Sequence, residues 1–89
     1  MDSHEAKLYA VRLRQDLPTL DLHGYKIYEA LDTMELFLSR CLMQKEVAAR
    51  VVYGVGTGAL HDAVIERLQT FSFVATIEDE GASCLLIFS

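Results

Sequence analysis

The sequence predicts a small α/β domain in which strands alternate with helices and a hairpin completes the sheet. Its 89 residues are 52% hydrophobic and 24% charged, which is typical of one packed globular domain. Two apolar runs each end at a glycine, and each is followed by residues with helical periodicity. Near the C terminus, two more strand-like runs flank a glycine turn. This order favours parallel crossovers followed by an antiparallel hairpin.

The first part of the chain is predicted to hold a helical extension and the first strand. Residues 1–17 form the extension, with a helix from Ser3 to about Gln15 that ends before Pro18. The domain proper spans residues 18–89. It opens with "TLDLHG", where two leucines alternate with an aspartate and a histidine, so this strand has one apolar and one polar face.

The remaining elements follow from apolar spacing and glycine positions. Residues at i, i+3, i+4 and i+7 predict a helix from Ile27 to about Gln44, and "AARVVYG" is then typical of a central strand covered on both faces. A second helix is predicted from Ala59 to about Gln69. The hairpin consists of Phe73 to Ile77 and Ser83 to Phe88, with Gly81 in the turn.

Charge and cysteine content limit the classes of function. A formal net charge of −5 argues against a protein that coats nucleic acid non-specifically, but this net charge does not exclude a local basic patch. The acidic run at residues 78–80 is typical of a solvated surface. Cys41 and Cys84 lack CxxC spacing, and neither a secretory leader nor a run of about 20 apolar residues is found. We therefore expect buried, reduced thiols in a soluble, cytoplasmic protein without membrane association.

Two motifs are predicted to share one crevice, because ligands of an open α/β sheet bind beyond the carboxyl ends of its parallel strands. "LDLHG" ends the first strand and "GVGTG" follows the second. Asp21 and His23 lie roughly 6.5–7 Å apart along one strand face, so both can reach one bound group. His23 can exchange a proton near neutral pH, and Asp21 can orient it or accept a proton. A structural role, with Asp21 capping the turn, is the alternative.

The glycine loop is a candidate phosphate site. The loop residues Gly54, Gly56, Thr57 and Gly58 precede a helix N-terminus that favours an anion, and His61 in the first turn is a further candidate contact. A plain turn is the alternative. No Lys follows the glycines as a Walker A loop requires, and the chain is too short for a dinucleotide fold. One Asp and one His predict no protein metal site, but Mg²⁺ held by a carboxylate and substrate phosphates stays open.

The combination of "LDLHG", an amphipathic helix, "VVYGVGTGAL" and a hairpin resembles the Smr (small MutS-related) domain family between Thr19 and Phe88. The resemblance implies a stand-alone Smr domain with a βαβαββ two-layer sandwich, similar to the C-terminal domain of bacterial translation initiation factor 3. The N-terminal helix predicted from its apolar spacing is an addition to this core. Members are linked to DNA nicking or RNA cleavage. By this resemblance, Asp21 and His23 carry cleavage, the loop glycines lie at the substrate phosphate, and His61 stands where members often have a basic or polar residue.

The loop departs from the family pattern, His-Gly-Lys/Arg-Gly, by having Tyr53 and Val55 in place of the His and the cation. A tyrosine hydroxyl, with a reference pKa of about 10, is a poor base at neutral pH, and valine supplies no charge for a phosphate. Three hypotheses therefore stay open. The chain is an endonuclease acting on DNA or RNA, a non-catalytic module of the same fold that binds nucleic acid or a ribosome-associated partner, or a binder of small phosphorylated molecules.

Overall fold

The computed structural model describes residues 6, 10, 11, 14 and 16–89. Its helices and strands are β1 (Thr19–Asp21), α1 (Ile27–Met43), β2 (Ala48–Val52), α2 (Ala59–Leu68), β3 (Val74–Asp79) and β4 (Ser83–Phe88). This is the predicted order of elements, so the α/β fold class is confirmed. The helix predicted from Ser3 to Gln15 lies mostly outside the described residues, and the division into an extension and a domain stays a prediction.

The four strands form one sheet in the order β1-β2-β4-β3. β1 and β2 are parallel, whereas β4 is antiparallel to both of its neighbours. The closing hairpin is antiparallel, as predicted, but its last strand is inserted beside β2 and leaves β3 at the edge. Five of the six residues of β4 are buried, which suits an interior strand, and β3 ends in the charged residues Glu78 and Asp79, which suit an edge.

The main hydrophobic core lies between one face of the sheet and the two helices. Its members include Met34, Leu38, Ala49, Val51 and Leu86, each exposed by 1% or less. Burying a large apolar side chain of this kind contributes about 1.5–3 kcal/mol relative to its exposed state. Both cysteines lie in this layer as buried free thiols, as their apolar surroundings predicted.

A smaller cluster covers the opposite face of the interior strands. Val11, from the segment before the first strand, is 4% exposed and packs with Ala48 and Leu85, and Leu17 packs against this cluster. The two interior strands are therefore covered on both faces at this point, as the continuous apolar run of β2 predicted. Among the described residues, no helix combines the length and the apolar content needed to cross a bilayer.

Candidate active site

The carboxyl ends of the two parallel strands bring the two predicted motifs together. Asp21 is paired with Val52 in the ladder, and the Leu22 N–H donates to the Val52 carbonyl at 2.7 Å. Beyond this pair, the two segments lie so close together that a Cβ placed on Gly54 would be 3.4 Å from the Cβ of His23. Gly54 also has a φ of +79°, which L side chains rarely adopt. A glycine at this position therefore lets the second motif lie against the first.

An open cleft of about 630 Å³ lies between the turn after β1 and the loop after β2. Its lining includes the predicted site residues His23, Gly54, Gly56, Thr57, Gly58 and His61. Asp21 is not part of the lining and reaches the cleft only through its contact with His23. Among the described residues, those lining the cleft include no carboxylate, and Lys26 supplies their one ammonium group. The cleft is thus compatible with an anionic ligand.

Asp21 orients the imidazole of His23. Its Oδ1 lies 2.6 Å from His23 Nδ1 and also accepts a hydrogen bond from the His23 backbone N–H at 3.0 Å. Because a carboxylate accepts, the contact favours the tautomer that has the proton on Nδ1 and the lone pair on Nε2. The hydrogen bond from the His23 side chain lowers the pKa of Asp21, which keeps this carboxylate ionised at neutral pH. With its side chain 73% exposed, His23 leaves Nε2 available for proton exchange in the cleft.

The glycine loop leads directly into the N-terminus of α2. Gly58 is the N-cap of this helix and has a φ of +87°, a left-handed conformation that glycine tolerates. Thr57 Oγ1 accepts a hydrogen bond from the Ala59 N–H at 3.4 Å, and Gly58 O accepts the first helical hydrogen bond from Asp62 N at 2.9 Å. The first N–H groups of an α-helix have no partner within the helix. They lie at the end of a cleft without carboxylates, where an anion can accept from them.

His61 is held by carboxylates at both ring nitrogens. Its Nδ1 lies 2.8 Å from Asp62 Oδ1, and its Nε2 contacts Asp79 Oδ2. The hydrogen bond to Asp79, and then that to Asp62, raises the pKa of His61 and favours the imidazolium form. Its positive charge is therefore offset within the protein. His61 lines the cleft as predicted, but its role at a phosphate stays a prediction.

Tyr53, at the position where the family pattern has a histidine, is 4% exposed and fully engaged. Its hydroxyl lies 2.7 Å from Asp79 Oδ1 and 3.0 Å from the Ser83 carbonyl, and its ring meets the His61 ring edge-on at 5.0 Å. Burial, followed by the hydrogen bond to Asp79, raises the pKa of Tyr53 far above its ordinary value. The hydrogen bond from His61, and then that from the Tyr53 hydroxyl, lower the pKa of Asp79 to about 2. Tyr53 is therefore a structural donor at neutral pH.

Asp79 is the member of this network that the sequence did not reveal. The acidic run at residues 78–80 was predicted to be a solvated surface, and Asp79 and Glu80 are exposed, but each also has specific partners in the protein. Asp79 pairs with Cys84 in the hairpin ladder and contacts Tyr53 and His61, while Glu80 forms an ion pair with Arg50. The register of the hairpin decides these contacts, and the local charge pattern carries no signal for that register.

Comparison with known proteins identifies the family to which this arrangement belongs. The model of the Smr domain matches residues 20–84, which include both motifs and most of the hairpin. This chain belongs to the Smr domain family. The resemblance inferred from the two motifs is thereby confirmed.

Curated relatives carry the Smr domain within much longer proteins. The chain is 35% identical over 69 residues to Endonuclease MutS2 of Symbiobacterium thermophilum, a match that covers 78% of this chain and 9% of that protein. It is 33% identical over 66 residues to Endonuclease MutS2 of Halalkalibacterium halodurans, covering 74% of this chain and 8% of that protein. The chain therefore spans less than a tenth of the length of these relatives.

Solved Smr domains have the same architecture. The crystal structure of the Smr domain of Thermus thermophilus MutS2 superposes with a TM-score of 0.77 at 26% identity, covering 82% of this chain and 99% of that one. The solution structure of the B3BP Smr domain gives a TM-score of 0.65 at 25% identity, covering 94% of this chain and 88% of that one. These likenesses confirm the predicted mixed α/β Smr fold, with a four-stranded sheet and two helices.

The described part of this Smr domain contains no group of three or more His, Cys, Asp or Glu side chains placed to hold a metal ion. Carboxylates adjoin the cleft through its two histidines, Asp21 at His23 and both Asp62 and Asp79 at His61. A Mg²⁺ ion bound mainly by substrate phosphates needs only one or two protein carboxylates. The Mg²⁺ expectation therefore stays a prediction, which a cleavage assay tests.

Proposed function

We propose that this Smr domain is an endonuclease that cleaves phosphodiester bonds in DNA or RNA. The observation that carries the proposal is the 2.6 Å contact between Asp21 and His23, set beside a glycine loop in one cleft. An imidazole whose Nδ1 is held by a carboxylate is equipped to exchange protons through Nε2. The relatives named Endonuclease MutS2 support this class of reaction.

In the proposed reaction His23 acts as the general acid or base. As a base, its Nε2 takes the proton of the attacking hydroxyl or water, whose oxygen forms a bond to phosphorus as the phosphorus–oxygen bond to the leaving group breaks. The leaving oxygen then takes a proton from solvent or from the imidazolium of His23. Asp21 stabilises the imidazolium that forms on His23 and keeps the ring in place. Both roles depend on the contact between Asp21 Oδ1 and His23 Nδ1, so loss of either side chain impairs the same step.

The glycine loop holds the scissile phosphate in this proposal. Backbone N–H groups of Gly56, Thr57 and Gly58 donate to the phosphate oxygens on which charge develops. The Gly54 N–H already donates to the Ala82 carbonyl at 2.9 Å, so Gly54 contributes by letting the loop lie close to His23. His61, whose charge is shared with two carboxylates, orients the first turn of the helix and adds little net charge.

A cleavage assay on supercoiled DNA and on structured RNA, each with and without Mg²⁺, tests the proposal. We expect His23→Ala to lower the rate by about 10²–10⁴-fold, the range for loss of a general acid or base. Asp21→Asn should lower it by a similar route, because an amide no longer fixes the tautomer. Asp32→Asn, an exposed carboxylate on α1, is the matched control and should leave the rate unchanged. Cleavage that survives both site substitutions would refute the assignment.

A second function is favoured by the state of the loop. The Tyr53 hydroxyl donates a hydrogen bond within the protein, and the exposed Val55 side chain (79%) has no charge. The loop therefore offers a phosphate few contacts other than its backbone N–H groups. These observations support a non-catalytic module that binds nucleic acid or a ribosome-associated partner. A salt-dependent gel shift by the parent protein, with no cleavage under any condition, would favour this module.

A further inference from the structure

Three exposed apolar side chains border the cleft. Tyr25 is 45% exposed, Ile27 is 44% exposed and Val55 is 79% exposed, and all three belong to the lining. Single apolar side chains on a surface are ordinary, but several around one opening are typical of a binding site. Of the three, Tyr25 supplies an aromatic ring that is partly exposed. The lining of the cleft thus combines exposed apolar side chains with the polar residues His23, Lys26 and Thr57.

The turn after β1 places Tyr25 beside the proposed proton-transfer residue. The Tyr25 N–H donates to the Leu22 carbonyl at 3.1 Å, and Gly24, with a φ of +79°, allows the chain to reverse within this turn. His23 and Tyr25 therefore emerge from the two sides of one glycine and enter the same cleft. A ligand group at His23 has the Tyr25 ring as a neighbour.

The charges of the cleft restrict what these apolar side chains can recognise. Lys26 and His23 contribute positive or proton-accepting groups, and the residues of the lining, all of them described, include no carboxylate. A ligand that suits both parts has an anionic group next to a flat apolar one. A nucleotide has this chemistry, because its phosphate is joined through the sugar to a base with two π-faces.

We propose that Tyr25 and Val55 form a subsite for an unpaired nucleobase, so that the preferred substrate is a single-stranded nucleic acid. This inference rests on the proposed function, because it places the phosphate beside that base at the glycine loop. The Tyr25 ring stacks on the base, and Val55 contacts it from the loop. In a duplex both faces of each base are covered by neighbouring base pairs, so Tyr25 has no face to stack on.

Fluorescence anisotropy at fixed salt tests the subsite with four probes: a short oligouridylate, an oligothymidylate of equal length, its abasic counterpart and a duplex. We expect the parent to bind the probes with bases more tightly than the abasic probe. Tyr25→Ala should weaken binding to the oligouridylate or the oligothymidylate by about 10-fold, and leave binding to the abasic and duplex probes unchanged. Base-dependent binding that requires Tyr25 supports the subsite with either base-bearing probe, and the comparison of these two probes shows whether RNA or DNA is the better ligand.

Two variants control for loss of the Tyr25 hydroxyl and for loss of an exposed aromatic side chain outside the cleft. Tyr25→Phe retains the ring and should bind as the parent does. Tyr28→Ala removes a 64% exposed aromatic side chain in the first turn of α1, outside the cleft lining, and should also bind as the parent does. Because Tyr25 is partly exposed, the melting temperature of Tyr25→Ala should match that of the parent.

Equal affinity of the parent for the abasic and base-bearing probes would overturn the subsite, as would equal losses on all four probes in Tyr25→Ala. Cleavage by the parent with no effect of Tyr25 would leave the endonuclease and remove the subsite. Base-dependent binding through Tyr25 without cleavage would remove the catalytic assignment and leave the subsite. Absence of binding to every probe would overturn both.

Discussion

Replacing Asp79 by Asn removes the negative charge that joins the end of β3 to the first turn of α2. The carboxylate of Asp79 accepts from the Tyr53 hydroxyl at 2.7 Å and from the Gly81 N–H at 3.1 Å, and it contacts His61 Nε2. An asparagine keeps one oxygen that can accept from Tyr53. It loses the charge that stabilises the imidazolium of His61, so the substitution isolates the electrostatic part of the network.

The size of the effect follows from the pKa of Asp79. A fall from 3.8 to about 2 between the unfolded and folded states corresponds to about 2.4 kcal/mol of stabilisation at neutral pH. The side chain of Asp79 is 42% exposed, however, and solvent screening reduces such interactions substantially. We therefore expect Asp79→Asn to lower the free energy of unfolding by about 1 kcal/mol.

The loss of stability should become smaller both at low pH, where Asp79 is protonated, and at high pH, where His61 loses its proton. The folded-state pKa of Asp79 is depressed, so its contribution is present above 3.8 and disappears as the pH falls through about 2. The folded-state pKa of His61 is raised above 6.5, so the contribution of His61 is complete below 6.5 and disappears as the pH rises through the folded-state value. The stability difference between parent and variant should thus be largest between about pH 4 and pH 6.5.

Urea unfolding of parent and Asp79→Asn at a series of pH values measures this difference directly. Asp32→Asn, which removes an exposed carboxylate from α1, controls for the change in net charge and should show a difference near zero throughout. A difference for Asp79→Asn that stays constant from pH 3 to pH 9 would refute the electrostatic reasoning. A constant loss of that kind would mean that the effect comes from altered hydrogen-bond geometry at Tyr53 and not from the charge of Asp79.

Three further outcomes are expected. Gly54→Ala should lower the free energy of unfolding by about 1–2 kcal/mol because of the positive φ at this position, and it should also abolish cleavage. Gly81 has a similar φ of +94° but open surroundings, so Gly81→Ala should lower stability alone. Equal cleavage by the two variants would contradict this. Tyr53→Phe should lower the unfolding free energy by about 1–2 kcal/mol in thermal denaturation without changing the pH profile of cleavage, and a lost acid or base limb would make its hydroxyl catalytic. Lys26→Gln should reduce the slope of log binding constant against log salt concentration by about 1 in gel shifts, with Lys45→Gln as an unaffected control.

The elements of this fold were predictable because their apolar spacing is local. Helix α1 begins at Ile27 as predicted, and its end at Met43 is one residue before the predicted end. β4, from Ser83 to Phe88, has the predicted bounds. The place of β4 between β2 and β3 was not predicted, since the order of strands in a sheet depends on contacts between distant residues. The one available sign in the sequence was the continuous apolar run of β4, which is typical of an interior strand.

The network around Asp79 could not be predicted because of an irregularity in β3. Val74 pairs with Phe88, but Thr76 pairs with Ile87, so the bulged strand has one extra residue between the two pairs. Regular alternation from Val74 would place Asp79 on the face away from the helices. The bulge reverses the alternation, places Asp79 opposite Cys84 on the helix side, and brings it to His61. Nothing in the run "FVATIED" marks the position of this bulge.

The two histidines of the cleft illustrate how contacts divide residues that look alike in sequence. His23 and His61 both follow a motif glycine or strand end, and both line the cleft. Within the described part of the chain, His23 has a carboxylate at Nδ1 and no protein hydrogen-bond partner at Nε2, so Nε2 is accessible to a ligand in the cleft. His61 has a carboxylate at each nitrogen, and the hydrogen bonds to Asp79 and then Asp62 raise its pKa, so its imidazolium form is favoured and its charge is offset locally. Under the proposed function, proton exchange in this cleft is therefore assigned to His23, whereas the contacts of His61 join the first turn of α2 to the end of β3.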